Sequence, residues 1–118
     1  MKGKVGSALT LEVGQAAARL TGLDMLSAMQ HAIGGLDKVV QLVKVTGMVN
    51  SDQSFTKHPQ VINGFSELMI DVFGEKSGKR ARSPVGMSGL PFDIAVETEA
   101  IFQVQGKKCQ QKQRVENG

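Results

Sequence analysis

The stretch TLEVGQAAARLTGLDMLSAMQHAIGG, residues 10 to 35, leaves little choice of conformation. Val13, Ala16, Leu20, Leu23, Leu26, Met29 and Ile33 recur every three or four positions, which is the spacing of one face of an α-helix. Thr10 can accept from an unpaired amide of the first turn, and Glu12 complements the positive end of the helix dipole. Gly34 and Gly35 can end the helix. The spacing predicts a helix over residues 11–33.

A different pattern follows. KVVQLVKVTGMVN, residues 38–50, is short and rich in Val and Thr, whose stiff χ1 suits a pleated surface, so it reads as a strand. SDQSFTKHP is turn chemistry, and Pro59 can open a second helix over residues 59–73. Its apolar face would carry Val61, Phe65, Leu68, Met69 and Val72, with Gly74 as the stop. EKSGKRARS is a polar loop leading into a short strand at 82–88, which Gly89 and Pro91 punctuate. In IAVETEAIFQV, residues 94–104, alternation puts Ile94, Val96, Thr98, Ala100, Phe102 and Val104 on one face. The other face carries Ala95, Glu97, Glu99, Ile101 and Gln103. The order αβαββ defines an α+β layer, a mixed sheet on two helices with two open edges that invite cover from another chain.

Charge and composition set the function classes. The chain has 118 residues, enough for one domain with an aliphatic, methionine-rich core, since it has six Met, five Phe and neither Trp nor Tyr. The formal charge is +3, yet residues 1–104 hold ten Lys or Arg and ten Asp or Glu. The whole excess lies in residues 105–118, QGKKCQQKQRVENG, where four cations face one acid and apolar residues almost vanish. That composition is expected to be a disordered basic tail, leaving residues 1–104 as the domain. A neutral body argues against nucleic acid, whose affinity is built on phosphate neutralisation. Cys109 is the only cysteine, so no internal disulfide and no cysteine-based metal cluster can form. With no apolar signal segment and no run long enough to span a bilayer, the expected location is the cytoplasm, away from membranes.

Two acid and two basic residues stand out near the C-terminus. Arg80 and Arg82 share a face if they lie on a strand, and an arginine fork matches a carboxylate in two parallel hydrogen bonds. From the residues alone the ordinary reading is that they are solvated loop charges or partners of Glu97 and Glu99. Glu97 and Glu99 also share a face, either as acid–base groups in an enclosed site or as acids on an open sheet face. His31 and His58 lack ligand spacing and read as a helix-surface residue and a turn residue.

RARSPVGMSGLPFDIAVETEAIF, residues 80–102, resembles the signature of the RidA/YjgF family, also called the endoribonuclease L-PSP or reactive imine deaminase group. VKVTGMVN resembles that family's middle strand and PQVINGFSELMIDVFGE its second helix. KGKVG and LTLEVGQ resemble one of its subfamilies, and the resemblance covers residues 2–104.

The resemblance implies a chorismate-mutase-like fold and a homotrimer with three clefts between subunits. It implies hydrolysis of reactive enamines and imines of the 2-aminoacrylate and 2-iminopropanoate type to 2-keto acids and ammonia. The small carboxylate-bearing imine would be gripped by Arg82 and lined by Asn63, with Glu97 near the attacking water. No metal or cofactor is required, because an imine is already electrophilic and needs orientation, a water and proton transfer. The alternatives are a non-catalytic trimer that binds small carboxylates and, further off, an RNA-directed endoribonuclease or translation inhibitor. Pro84, two residues after Arg82, offers no N–H to an anion. The chain is expected to begin after the family's first two strands, so that residues 1–104 form an N-terminally incomplete domain.

Overall fold

A computed structural model describes residues 2–79 and 81–105, together with the backbone of 107–114. Arg80 and the side chain of Cys109 therefore lie outside the described residues.

The first helix, α1, spans Leu11–Ile33. The Thr10 side chain accepts from the Val13 amide at 3.2 Å, and Gly34 closes the helix in the left-handed region with its amide on the Gln30 carbonyl. A cap of this kind is worth about 1 kcal/mol, so Thr10→Ala is expected to lower the unfolding free energy by that amount in a denaturant titration.

The helix is where the sequence placed it, and Leu26 and Met29 of the expected face are buried, but the rest of the buried face is made by other residues. Gly14, Ala17, Ala18, Thr21, Gly22, Met25, Leu26 and Met29 are buried, whereas Leu23 is 46% exposed and Val13 lies at the surface. Close packing explains the change. Helix α2, His58–Phe73, crosses α1 so tightly that a Cβ on Gly64 would sit 2.1 Å from the Gln15 carbonyl oxygen. A Cβ on Gly22 would likewise meet Leu68 at 2.8 Å. Small residues let the two helix backbones approach along the first half of α1, where Val13 and Leu23 are turned outward, while Met25, Leu26 and Met29 still enter the core. In α2 the expected Val61, Phe65, Leu68 and Met69 are buried, joined by Ile62, while Val72 is 42% exposed.

The sheet is built from β1 (Val39–Asn50), β2 (Ala81–Met87), β3 (Val96–Val104) and β4 (Lys107–Arg114), in the order β2-β1-β3-β4. A short helix, α3 (Glu75–Gly78), precedes β2. Strands β1 and β2 are parallel, joined through α2 and α3, and the β1–β3 and β3–β4 pairs are antiparallel. The result is the expected α+β layer with both long helices on one face. Val96, Thr98, Ala100, Phe102 and Val104 are all buried, as the alternation in β3 required. The core joins Met25 and Met29 of α1, Phe65 and Met69 of α2, and Leu42, Val45 and Phe102 of the sheet. The amino-terminal segment is threaded into it: Val5 is fully buried, its amide donates to Asn50 and its carbonyl accepts from Asp52.

Part of the expected disordered tail is instead strand β4, paired with β3 from Glu97↔Arg114 to Val104↔Lys107. Composition is outweighed there by the backbone. The free edge of β3 presents a row of unpaired N–H and C=O groups, and a chain reversing at Gln105 can satisfy them whatever its side chains. No helix among the described residues is long and apolar enough to cross a membrane.

Candidate functional site

Helix spacing and strand register together bring a set of polar side chains to one cavity. Asn63, Ser66, Glu67 and Ile70 stand at i, i+3, i+4 and i+7 along α2 and so share a face. Parallel pairing sets Arg82 of β2 beside Val45 of β1, whose side chain points to the helices. Between them lies a cavity of about 300 Å³, lined by Asn63, Ser66, Glu67, Lys79 and Arg82 over the apolar Leu42, Val45 and Ile70. Gly78 makes the approach of Lys79 possible, because a Cβ there would lie 2.3 Å from the Met69 carbonyl oxygen.

Arg82 is half-buried, and its Nη1 donates to Ser66 Oγ at 3.0 Å. One of five guanidinium N–H groups is thus used to orient the fork. A charged planar donor, braced by a helix hydroxyl above an apolar floor, suits a small carboxylate.

Glu97 lies elsewhere. Thr98 donates to the Thr21 hydroxyl of α1 at 3.2 Å, so Thr98 faces the helices and its neighbours Glu97 and Glu99 face the opposite side of the sheet. Arg82 faces the helices through its bond to Ser66. The fold therefore brings Arg82 and Asn63 together, and it separates both from the same chain's Glu97 by the thickness of the sheet. Glu97 is 4% exposed and stands opposite Met48 of β1. Ser66, Glu67 and Lys79 were not singled out in the sequence. For the two helix residues, the signal was their i+3 and i+4 spacing from Asn63.

A second, larger cavity of about 530 Å³ opens at the far end of β2, lined in part by Lys4, Ser51, Asp52, Phe55 and His58. His58 is not a turn residue but the first residue of α2, and its Nε2 lies 3.1 Å from Ser51 Oγ. The Phe55 ring meets the imidazole edge-on, with centroids 5.4 Å apart. Asn50 anchors one wall: its Nδ2 donates to Asp93 Oδ1 at 2.9 Å and to the Ile94 carbonyl at 3.0 Å, and its Oδ1 accepts from Lys4 Nζ at 3.1 Å. Lys4 also donates to the Ser88 carbonyl. The Asp52 carboxylate accepts from the Ser54 hydroxyl and amide, which together hold it below the usual aspartate range, the hydroxyl contributing most. His31 is exposed near the end of α1.

A two-helix layer on a mixed sheet, with an arginine cavity between α2 and β2, defines the class, and comparison with known proteins agrees with it. Residues 1–94 match the family described as "YjgF/chorismate_mutase-like, putative endoribonuclease". The chain belongs to that family and has its fold. It is 47% identical over 104 residues to "Protein TCP17" of Trypanosoma cruzi, an alignment that takes in 88% of this chain and 65% of that protein. It superposes with a TM-score of 0.85 and 37% identity on a crystal structure of the protein Atu1372 "with unknown function" from Agrobacterium tumefaciens, over 88% of this chain and 66% of that one. A "putative endoribonuclease" from Shewanella oneidensis MR-1 gives a TM-score of 0.83 at 26% identity, over 87% and 68% of the respective chains. The chain thus spans just under two thirds of the length of the Trypanosoma protein and of the Agrobacterium structure.

Proposed function

We propose that this chain is a subunit of a homotrimer that hydrolyses small enamines or imines bearing a carboxylate, yielding a 2-keto acid and ammonia. The observation that carries this reading is the Arg82 guanidinium, braced by Ser66 in a cavity that Asn63 also lines. The guanidinium takes the substrate carboxylate in a bidentate pair, which fixes the adjacent imine carbon. The Asn63 amide offers both a donor and an acceptor to the nitrogen or to water. An enamine first takes a proton on its β-carbon and gives one up from nitrogen to become the imine. Water then adds to the imine carbon with one proton passing to nitrogen. As the added hydroxyl gives its proton to nitrogen, the C–N bond breaks, leaving the keto group and releasing ammonia.

Proton transfer needs an acid or base beside the cavity. Glu67 lies on the rim in the same chain; in the proposed trimer Glu97 would have to reach the cleft from a neighbouring subunit. The test generates 2-aminoacrylate with a serine dehydratase and follows pyruvate. Acceleration over buffer is expected, and Glu97→Gln is expected to lower kcat roughly 100-fold with little change in KM, whereas Glu67→Gln should have the smaller effect. No acceleration from a folded trimer overturns the enzyme reading, and a stable monomer at micromolar concentration overturns the inter-subunit site.

A second reading, binding of a small carboxylate without turnover, is favoured by the placement of Glu97 across the sheet from Arg82. It predicts saturable binding of pyruvate to the folded protein in the absence of any hydrolysis. An RNA-directed activity, which the family's description and the Shewanella protein's title suggest, finds little support in a body whose charges balance.

A further inference from the structure

The larger cavity holds chemistry that imine hydrolysis does not use. Its Ser51 is 8% exposed, so the hydroxyl is set in the wall rather than on a mobile loop. Backbone bonds fix it there: the Ser51 amide donates to the Met87 carbonyl, and the neighbouring Asp52 amide donates to Val5. His58 Nε2 stands 3.1 Å from Ser51 Oγ, within the reach required of a base and the nucleophile it activates. The imidazole is held in turn by its place at the start of α2 and by the edge of Phe55.

Gly86 is what admits the pair. A Cβ at this position of β2 would lie 2.4 Å from His58 Nε2 and 2.9 Å from Ser51 Oγ. Any other residue would press on the hydrogen bond itself. Lys4 completes the setting, since its ammonium has three donors and Asn50 and the Ser88 carbonyl account for two of them. Phe55 and Met87 supply apolar wall for a short acyl chain.

We propose that Ser51 and His58 form a second reactive site, separate from the arginine cavity, which accepts an acyl group from small esters. The Ser51 oxygen bonds to the acyl carbon while its proton passes to His58 Nε2. The C–O bond to the alcohol then breaks, and the alcohol leaves with that proton. A water repeats the sequence, giving its proton to His58, freeing Ser51 and releasing the carboxylic acid. Lys4 stabilises the oxyanion formed at each addition.

The test uses p-nitrophenyl acetate, reading nitrophenolate release and, by peptide mass spectrometry, acetylation of Ser51. The wild-type chain is expected to release nitrophenolate faster than buffer and to carry the acetyl group on Ser51. His58→Gln keeps a hydrogen-bonding side chain at the helix start but is a far weaker base, and should cut acetylation roughly 100-fold. Gly86→Ala should reduce it at least tenfold by the same criterion. Ser54→Ala, which removes the nearby exposed hydroxyl, should leave it unchanged, and circular dichroism establishes that each variant is folded. Acetylation confined to other residues, no acetylation, or acetylation of Ser51 that persists in folded His58→Gln overturns the site. None of these outcomes depends on imine hydrolysis, so the two activities stand or fall separately.

Discussion

Arg82→Ala is expected to weaken carboxylate binding and imine hydrolysis strongly while leaving the fold intact. Two features of the residue give this expectation. Its bond is to the uncharged Ser66 hydroxyl of α2, and Arg82 is only half-buried on a largely exposed strand, so little packing depends on it. Its charge, by contrast, is the group aimed at a substrate carboxylate, and a hydrogen bond to a charged group contributes about 1.5–3 kcal/mol. The expected loss in kcat/KM is therefore roughly 10- to 100-fold from binding alone, and larger if misplacement also slows the chemical step. Arg82→Lys restores charge without the planar fork and should recover only part of the loss. Ser66→Ala should give a smaller defect of the same kind, because it frees the guanidinium to rotate without removing it. Wild-type kinetics and unchanged pyruvate binding in folded Arg82→Ala would remove this residue from the site.

Much of the architecture could be read from the sequence because its signals are local. Thr10 and Gly34 bound α1 where the capping residues said they would, and the alternation in β3 separated Thr98 from Glu97 correctly. The signals that failed depend on another element. Apolar spacing found Leu26 and Met29 of α1 but not the rest of its buried face, which is selected by the close approach of α2, for which Gly and Ala are better than Leu. Strand β4 could not be read from composition, because its pairing is with the backbone of β3.

The candidate site divides along the same line. Arg82 and Asn63 were found through motif resemblance, and the register of β2 against β1 brings them into one cavity. Ser66, Glu67 and Lys79 needed the helix phase and the turn at Gly78, and the Ser51–His58 pair needed the glycine opposite them. Glu97 carried the strand parity that sets it on the sheet face away from Arg82, yet the motif resemblance named both for one site.

Gly64→Ala is expected to destabilise the protein by about 3 kcal/mol or more, as overpacking against an immovable neighbour does. Helix propensity alone predicts the opposite sign, because replacing glycine by alanine in a helix interior normally stabilises by about 0.5–1 kcal/mol. Geometry decides between them. The added methyl would lie 2.1 Å from the Gln15 carbonyl oxygen and 3.0 Å from its carbonyl carbon, both backbone atoms of α1 that no rotamer can move. The Arg19 amide, at 3.3 Å, closes a further direction of escape. Relief requires the two helices to separate, which would also open the close approach at Gly22, where even a Cβ would meet Leu68 and Phe65. Because a domain of this size has only about 5–15 kcal/mol of stability, the variant should show a clearly lowered denaturation midpoint and weakened exchange protection along both helices. Gly89 provides the control, since nothing lies within 4 Å of a Cβ placed there, and Gly89→Ala should change stability by no more than about 0.5 kcal/mol. A Gly64→Ala chain as stable as the parent, or more so, would mean that α1 and α2 do not cross at this distance. The small-residue face of α1 would then need another cause.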